Sequence, residues 1–199
     1  DKINRCRVFA VYGVGGAAGR VFLSGNPDEP GQDWYSGFED PTFWPDTAYT
    51  KVSRDGGAVV GYAILGNTLA TFLQGKGIGR NAVIRTGSLD ENGEALFRVT
   101  NTLLGEAPVA PRSFAYLGKE PLFLTERGVY AITAEELTGE KYTQERSYFI
   151  STALSAMAGK EEAAASVYRD FYVLAIGGTL YLLDGQQKTY EKNNPYSSY

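Results

Sequence analysis

Apolar runs meet partner runs across glycine-bearing turns four times in this chain, and that recurrence constrains the fold more than any single motif. Val8-Phe9-Ala10-Val11-Tyr12 is followed by Arg20-Val21-Phe22-Leu23-Ser24. Val59 to Leu65 meets Leu69 to Leu73 across Gly66-Asn67. Phe114 to Leu117 meets Leu122 to Thr125 across Gly118-Lys119-Glu120-Pro121, and Phe171 to Ile176 meets Leu180 to Leu183 across Gly177-Gly178-Thr179. Glycine supplies the positive φ that tight hairpins need, and the arms carry the β-branched and aromatic residues that strands favour. The 24 glycines, 14 tyrosines and 10 phenylalanines fit this pattern of turns between strands.

The hairpins recur at a near-constant period. Their second arms begin at Val21, Leu69, Leu122 and Leu180, at intervals of 48, 53 and 58 residues. Further strands are expected at Ala82–Thr86, Leu96–Val99, Val129–Ile132 and Tyr148–Ile150. About four strands per unit of ~50 residues is the pattern of propeller blades, which bury their faces by stacking on neighbours. The expected fold is therefore all-β and β-propeller-like, with about four blade repeats, as a whole or as part of a larger propeller. An antiparallel sandwich or barrel is the alternative. The 199 residues are read as one repeat-built domain with approximate units 1–50, 51–105, 106–160 and 161–199. A chain that opens on Asp1 rather than Met, and whose last unit is short, reads as a fragment of a longer protein. Helix is expected only in the Ala-rich Ser155–Ser166 stretch. Thr133-Ala134-Glu135-Glu136 has capping-box spacing, but Gly139 limits any helix there to about a turn.

Composition removes several chemistries. With no histidine there is no Ser-His-Asp triad and no His-ligated metal, and the single Cys6 excludes an internal disulfide. A net charge of −4 argues against direct nucleic-acid binding. No apolar run reaches the ~18 residues of a membrane span, so no membrane partner is expected.

Three motifs invite a functional reading. Gly13-Val14-Gly15-Gly16-Ala17-Ala18 matches a dinucleotide fingerprint, but Val21-Phe22-Leu23 reads as a strand where that fingerprint needs a helix. It is read as a flexible hairpin tip. Gly75-Lys76-Gly77-Ile78-Gly79-Arg80 resembles a phosphate cradle without the spacing of a P-loop, and is read as a solvated loop. Asn26 to Pro45 is the longest irregular stretch, with Asp28, Glu29, Asp33, Glu39, Asp40 and, just beyond it, Asp46. Such acidic residues are most simply a solvated loop. Calcium ligation or a glycosidase carboxylate pair are the functional alternatives. No catalytic residue, metal ligand or cofactor is assigned. The candidate site residues are instead the loop aromatics Trp34, Tyr35, Phe43 and Trp44, read as a plug between blades or as a partner interface.

Three stretches of that region resemble a known family. Phe22-Leu23-Ser24-Gly25-Asn26, Asp33-Trp34-Tyr35-Ser36-Gly37 and Asp40-Pro41-Thr42-Phe43-Trp44-Pro45-Asp46 are similar to a segment of phage and prophage β-propeller proteins of tail hubs, nozzles and head–tail stabilisers. Phe123 to Tyr130 and Phe171 to Asp184 resemble the blades that follow. The resemblance implies a non-enzymatic structural component of a virion, assembled in the host cytoplasm. It would be repeated as a homo-oligomer and contact other virion structural proteins. A carbohydrate-binding or glycoside-processing propeller is the alternative, and a scaffold in a cellular complex is a third reading.

Overall fold

The computed structural model describes residues 2–53, 56–75, 78–132, 144–147 and 150–184. It is all-β, with four antiparallel sheets that follow one another along the chain, none of them closed into a barrel. Sheet 1 comprises β1 (Val8–Tyr12), β2 (Arg20–Ser24), β3 (Gln32–Tyr35) and β4 (Tyr49–Lys51). Sheet 2 comprises β5 (Val59–Leu65), β6 (Thr68–Leu73), β7 (Ile78–Leu89) and β8 (Ala95–Glu106). Sheet 3 comprises β9 (Ala115–Leu117), β10 (Glu120–Leu124), β11 (Val129–Ala131) and β12 (Gln144–Glu145). Sheet 4 comprises β13 (Ala164–Tyr168), β14 (Phe171–Ile176) and β15 (Thr179–Asp184). Within each sheet the strands lie in sequence order, as hairpin connections dictate.

The β14–β15 turn shows why glycine is needed: Gly177 and Gly178 have φ of 56° and 79°, the paired positive values of a primed hairpin turn. The start of each sheet lies near the start of the next. β1 lies beside β5, β5 beside the 3₁₀ turn Pro111–Ser113, and that turn and β9 beside β13.

Three apolar clusters fill the spaces between consecutive sheets. Tyr12 and Phe22 of sheet 1 pack on Tyr62, Leu69, Val83 and Phe97 of sheet 2. Ala63, Phe72, Ile84 and Leu103 of sheet 2 pack on Phe123 and Ile132 of the sheet 3 region. Leu122, Leu124 and Val129 pack on Tyr172, Leu174 and Ile176 of sheet 4. Sheets 2 and 3 are thus covered on both faces, and sheets 1 and 4 on one.

Four expectations change. The stretch Asn26 to Pro45 is not wholly irregular, because it holds β3, which pairs with β2 and β4. The short strands expected at Ala82–Thr86 and Leu96–Val99 belong to a hairpin of two 12-residue strands. The helix is earlier and shorter than Ser155–Ser166: α1 spans Ser151–Ala156 and buries only Leu154. Alanines further on enter β13, where Ala164 and Ala165 face Ala175 and Leu174, so tertiary packing overrides helix propensity. Ile150 precedes α1 rather than ending a strand. Tyr148, Phe149, Thr133–Glu136 and Gly139 lie outside the described residues.

Candidate functional site

The acidic residues of the 26–46 region do not converge. Asp28 pairs with Arg5, and Asp46 lies 3.7 Å from Lys2, both at the surface. Asp40 is exposed and accepts hydrogen bonds from the Thr42 hydroxyl at 2.6 Å and the Thr42 amide at 2.9 Å, which hold its carboxyl below the ordinary range. Glu39 adopts a left-handed φ of 52°, and its amide donates to the Gly19 carbonyl.

Asp33 has a different fate: it is fully buried on β3 and faces sheet 2. There it forms an ion pair with Arg85 of β7, itself fully buried. Arg85 Nη1 donates to Asp33 Oδ1 at 3.1 Å, while Nη2 donates to Asp33 Oδ2 and, at 2.9 Å, to the Thr71 hydroxyl. The Tyr62 hydroxyl donates to Asp33 Oδ2 at 3.1 Å. The guanidinium stands 5.4 Å from the centre of the Phe22 ring. Burial pushes the Asp33 carboxyl up, against the pull of the Arg85 charge and of the hydrogen bonds from Arg85 and Tyr62. For Arg85 burial weighs against the charge, and Asp33 more than offsets it, so the guanidinium stays protonated. This forked pair is a bolt between sheets 1 and 2. Its carboxylate is committed and sealed from solvent, while Asp40 is exposed, so these two do not form the acid–base pair of a glycosidase.

The four candidate aromatics separate. Tyr35 packs edge-on against Phe97, 4.9 Å between ring centres, and so fills space between sheets 1 and 2. Trp34, its neighbour on β3, is buried on the opposite face of the sheet. Phe43 is 57% exposed. Trp44 is half-buried, and its indole N–H donates to the Pro41 carbonyl at 2.9 Å. Only Tyr35 joins the packing between sheets.

The glycine motifs are structural as well. Val14–Gly16 forms a 3₁₀ turn leading to β2, not a helix. It is packed rather than flexible: a Cβ on Gly87 of β7 would stand 2.7 Å from the Gly13 carbonyl. The Tyr12 hydroxyl fixes this contact by donating to the Asn67 carbonyl at 2.7 Å and accepting from the Gly87 amide at 3.0 Å. Ile78–Arg80 opens β7, while Lys76 and Gly77 lie outside the described residues.

The sequence reading missed the outward faces of sheets 1 and 4. Phe9, Leu23, Trp34 and Tyr49 stand opposite one another across β1 to β4, with Val11 and Val21 beside them. None of the six belongs to a core cluster, and Phe9 is 72% exposed. On sheet 4, Leu182 stands opposite Val173, and Leu180 opposite Ala175. Leu180 and Leu182 are 64% and 58% exposed. The signal was present: a strand apolar at every position is built to be covered on both faces.

One depression, of about 510 Å³, is lined by Pro30, the Gly56–Ala58 backbone, Gln74, Gly75, Val109, Glu126 and Glu161. Its two carboxylates have no nucleophile or base beside them, so its lining offers no catalytic constellation. Among the described residues no three His, Cys, Asp or Glu side chains gather as a metal site, and no helix is long and apolar enough to cross a membrane. No protein-family model and no curated protein matches this chain.

Proposed function

We propose that the chain is a structural module of a phage or prophage virion, its four sheets serving as consecutive blades of a propeller-like body, and that it acts through protein–protein contacts. The observation that carries this reading is the pair of apolar faces at the two ends of the stack that no other described sheet covers, each with exposed residues such as Phe9 and Leu180. Each has the composition of the faces that sheets 2 and 3 bury, and contiguous exposed apolar patches mark interaction sites. The side-by-side starts of successive sheets support the blade arrangement, and the resemblance of the 22–46 region supports the virion setting. Its partners are other virion structural proteins and further copies of the chain.

The two end faces are different surfaces, so self-association through them is head-to-tail and closes into a ring or runs on as a filament. Sedimentation tests this. The wild-type protein is expected to self-associate, whereas Phe9→Lys and Leu182→Lys are each expected to be monomeric. An equimolar mixture of the two variants retains one intact face of each kind and is expected to form a heterodimer. A wild-type chain that stays monomeric at high concentration and fails to join purified virions would overturn the proposal.

A further inference from the structure

Each junction between consecutive sheets combines an apolar cluster with an ion pair across it. At the first, Asp33 of sheet 1 pairs with Arg85 of sheet 2, close to the cluster that holds Tyr12 and Phe22. At the second, Glu106 at the end of β8 has its Oε1 3.1 Å from Arg127 Nε, in the turn between β10 and β11. At the third, Glu126 of that same turn has its Oε2 3.7 Å from the ammonium of Lys160, which opens the 3₁₀ turn Lys160–Glu162 ahead of β13. In these three pairs the earlier sheet supplies the acid and the later sheet the base.

The two end faces carry the same polarity. Arg7 runs on from β1, its amide donating to the Ser24 carbonyl at 2.8 Å, so alternation puts its side chain on the face of Phe9. Lys51 stands opposite Gln32, two residues along from the Tyr49–Trp34 pair, and shares that face. Arg7 and Lys51 therefore lie at one end of the same apolar surface, and both are exposed. On sheet 4, Glu162 is exposed and borders a depression shared with Ala175, the residue opposite Leu180 on the outer face. Its carbonyl accepts from Arg112 Nη2 at 3.1 Å, just ahead of β9. Glu162 thus sits at the end of the stack where β9 and β13 begin, and Arg7 sits where β1 begins.

We propose that sheet 4 of one copy stacks on sheet 1 of the next as a continuation of the series, with Glu162 as its acid and Arg7 as its base, and with Lys51 on the same positive rim. This rests on the head-to-tail association proposed above. It adds the polarity of the contact and the residues that select it. Apolar burial is non-directional, so the two apolar faces alone do not fix which surface meets which. Opposite charges at their rims do, because they favour sheet 4 on sheet 1 over two like faces and set the starts of β13 and β1 side by side. Such rim charges act through solvent, so the contact is expected to weaken as salt screens them.

Sedimentation equilibrium of the full chain at low and high NaCl tests this by charge exchange. Arg7→Glu and Glu162→Lys are each expected to keep the wild-type Tm and to weaken self-association by about tenfold or more, because each sets like charges face to face. Arg7→Gln and Glu162→Gln, which remove a charge without reversing it, are expected to weaken it less and to flatten its salt dependence. An equimolar mixture of Arg7→Glu and Glu162→Lys restores an opposite pair at every contact, and so is expected to associate as the wild type does. The double variant should do so alone. The inference is overturned if the wild type associates and the two reversals associate equally well, or if neither the mixture nor the double variant recovers what the single reversals lose. A wild type that stays monomeric at every salt concentration would overturn the head-to-tail reading and this inference with it.

Discussion

β6 and β15 occupy the same place in their hairpins, directly after a glycine-bearing turn, and both begin Thr-Leu and continue with mostly apolar residues. β6 reads Thr68-Leu69-Ala70-Thr71-Phe72-Leu73, and β15 reads Thr179-Leu180-Tyr181-Leu182-Leu183-Asp184. In β6 every residue after the first is buried, whereas no residue of β15 is fully buried. The difference lies in their neighbours. β6 sits in a sheet with sheet 1 on one face and sheet 3 on the other, whereas β15 has sheet 3 on one face and solvent on the other. A strand's own sequence thus states how much cover it needs, and the fold decides how much it receives. Sheet 4, and sheet 1 by the same comparison, carry apolar surface that no other described sheet covers.

The largest effect is expected in the covered half. Arg85→Met leaves the Asp33 carboxylate buried and unpaired between sheets 1 and 2, a loss of about 3–5 kcal/mol in chemical denaturation. Combining it with Asp33→Leu should recover most of that loss, because a well-packed apolar pair replaces the ion pair at little net cost. If the double variant is no more stable than the single one, the bolt does more than balance charge. Next comes Gly61→Ala on β5. Its new methyl group would stand 2.6 Å from the Phe114 ring, and displacing that ring from between sheets 2 and 3 should cost about 1–3 kcal/mol.

A pH-gated loss follows. Burial pushes the phenols of Tyr62 and Tyr172 up, and that of Tyr116 to about 12. Each folded value lies above that of the unfolded chain, so the stability these groups contribute is complete below about pH 10 and is lost as pH rises through the folded values. For Tyr116 the window runs from about pH 10 to about 12. Phenolate absorbance is expected to rise late and together with unfolding. Early, independent titration of these three would show that the interfaces they line open before the chain unfolds. The smallest stability effect belongs to the uncovered half. Phe9→Lys should change stability by no more than about 0.5 kcal/mol, while removing self-association. A loss comparable to Gly61→Ala would mean that the outer face of sheet 1 is part of the core.

The hairpins β5–β6, β9–β10 and β14–β15 were legible because their turns need glycine and their arms are apolar, both properties of neighbouring residues. The β3 strand was not. Gln32-Asp33-Trp34-Tyr35 sits among prolines and acids, and its central aspartate becomes a core residue only through Arg85, 52 positions away. A partner at that distance leaves no local mark. The loop aromatics were conspicuous in the sequence, yet alternation along β3 sends Trp34 and Tyr35 to opposite faces. The full length of β7 and β8 was hidden because their outer parts mix glycine and polar residues with apolar ones, so no apolar run spans either strand.

The Asp33–Arg85 pair also sets the order in which this chain can become native. β1 to β4 are complete in sequence by Lys51, but until β7 arrives the aspartate between them has no counter-charge. The first sheet therefore cannot close as a finished piece during synthesis. It must wait in an open form until the second hairpin of sheet 2 has been made. A chain cut between Lys51 and β7 is therefore expected to leave sheet 1 unfolded rather than as a folded sheet with a tail.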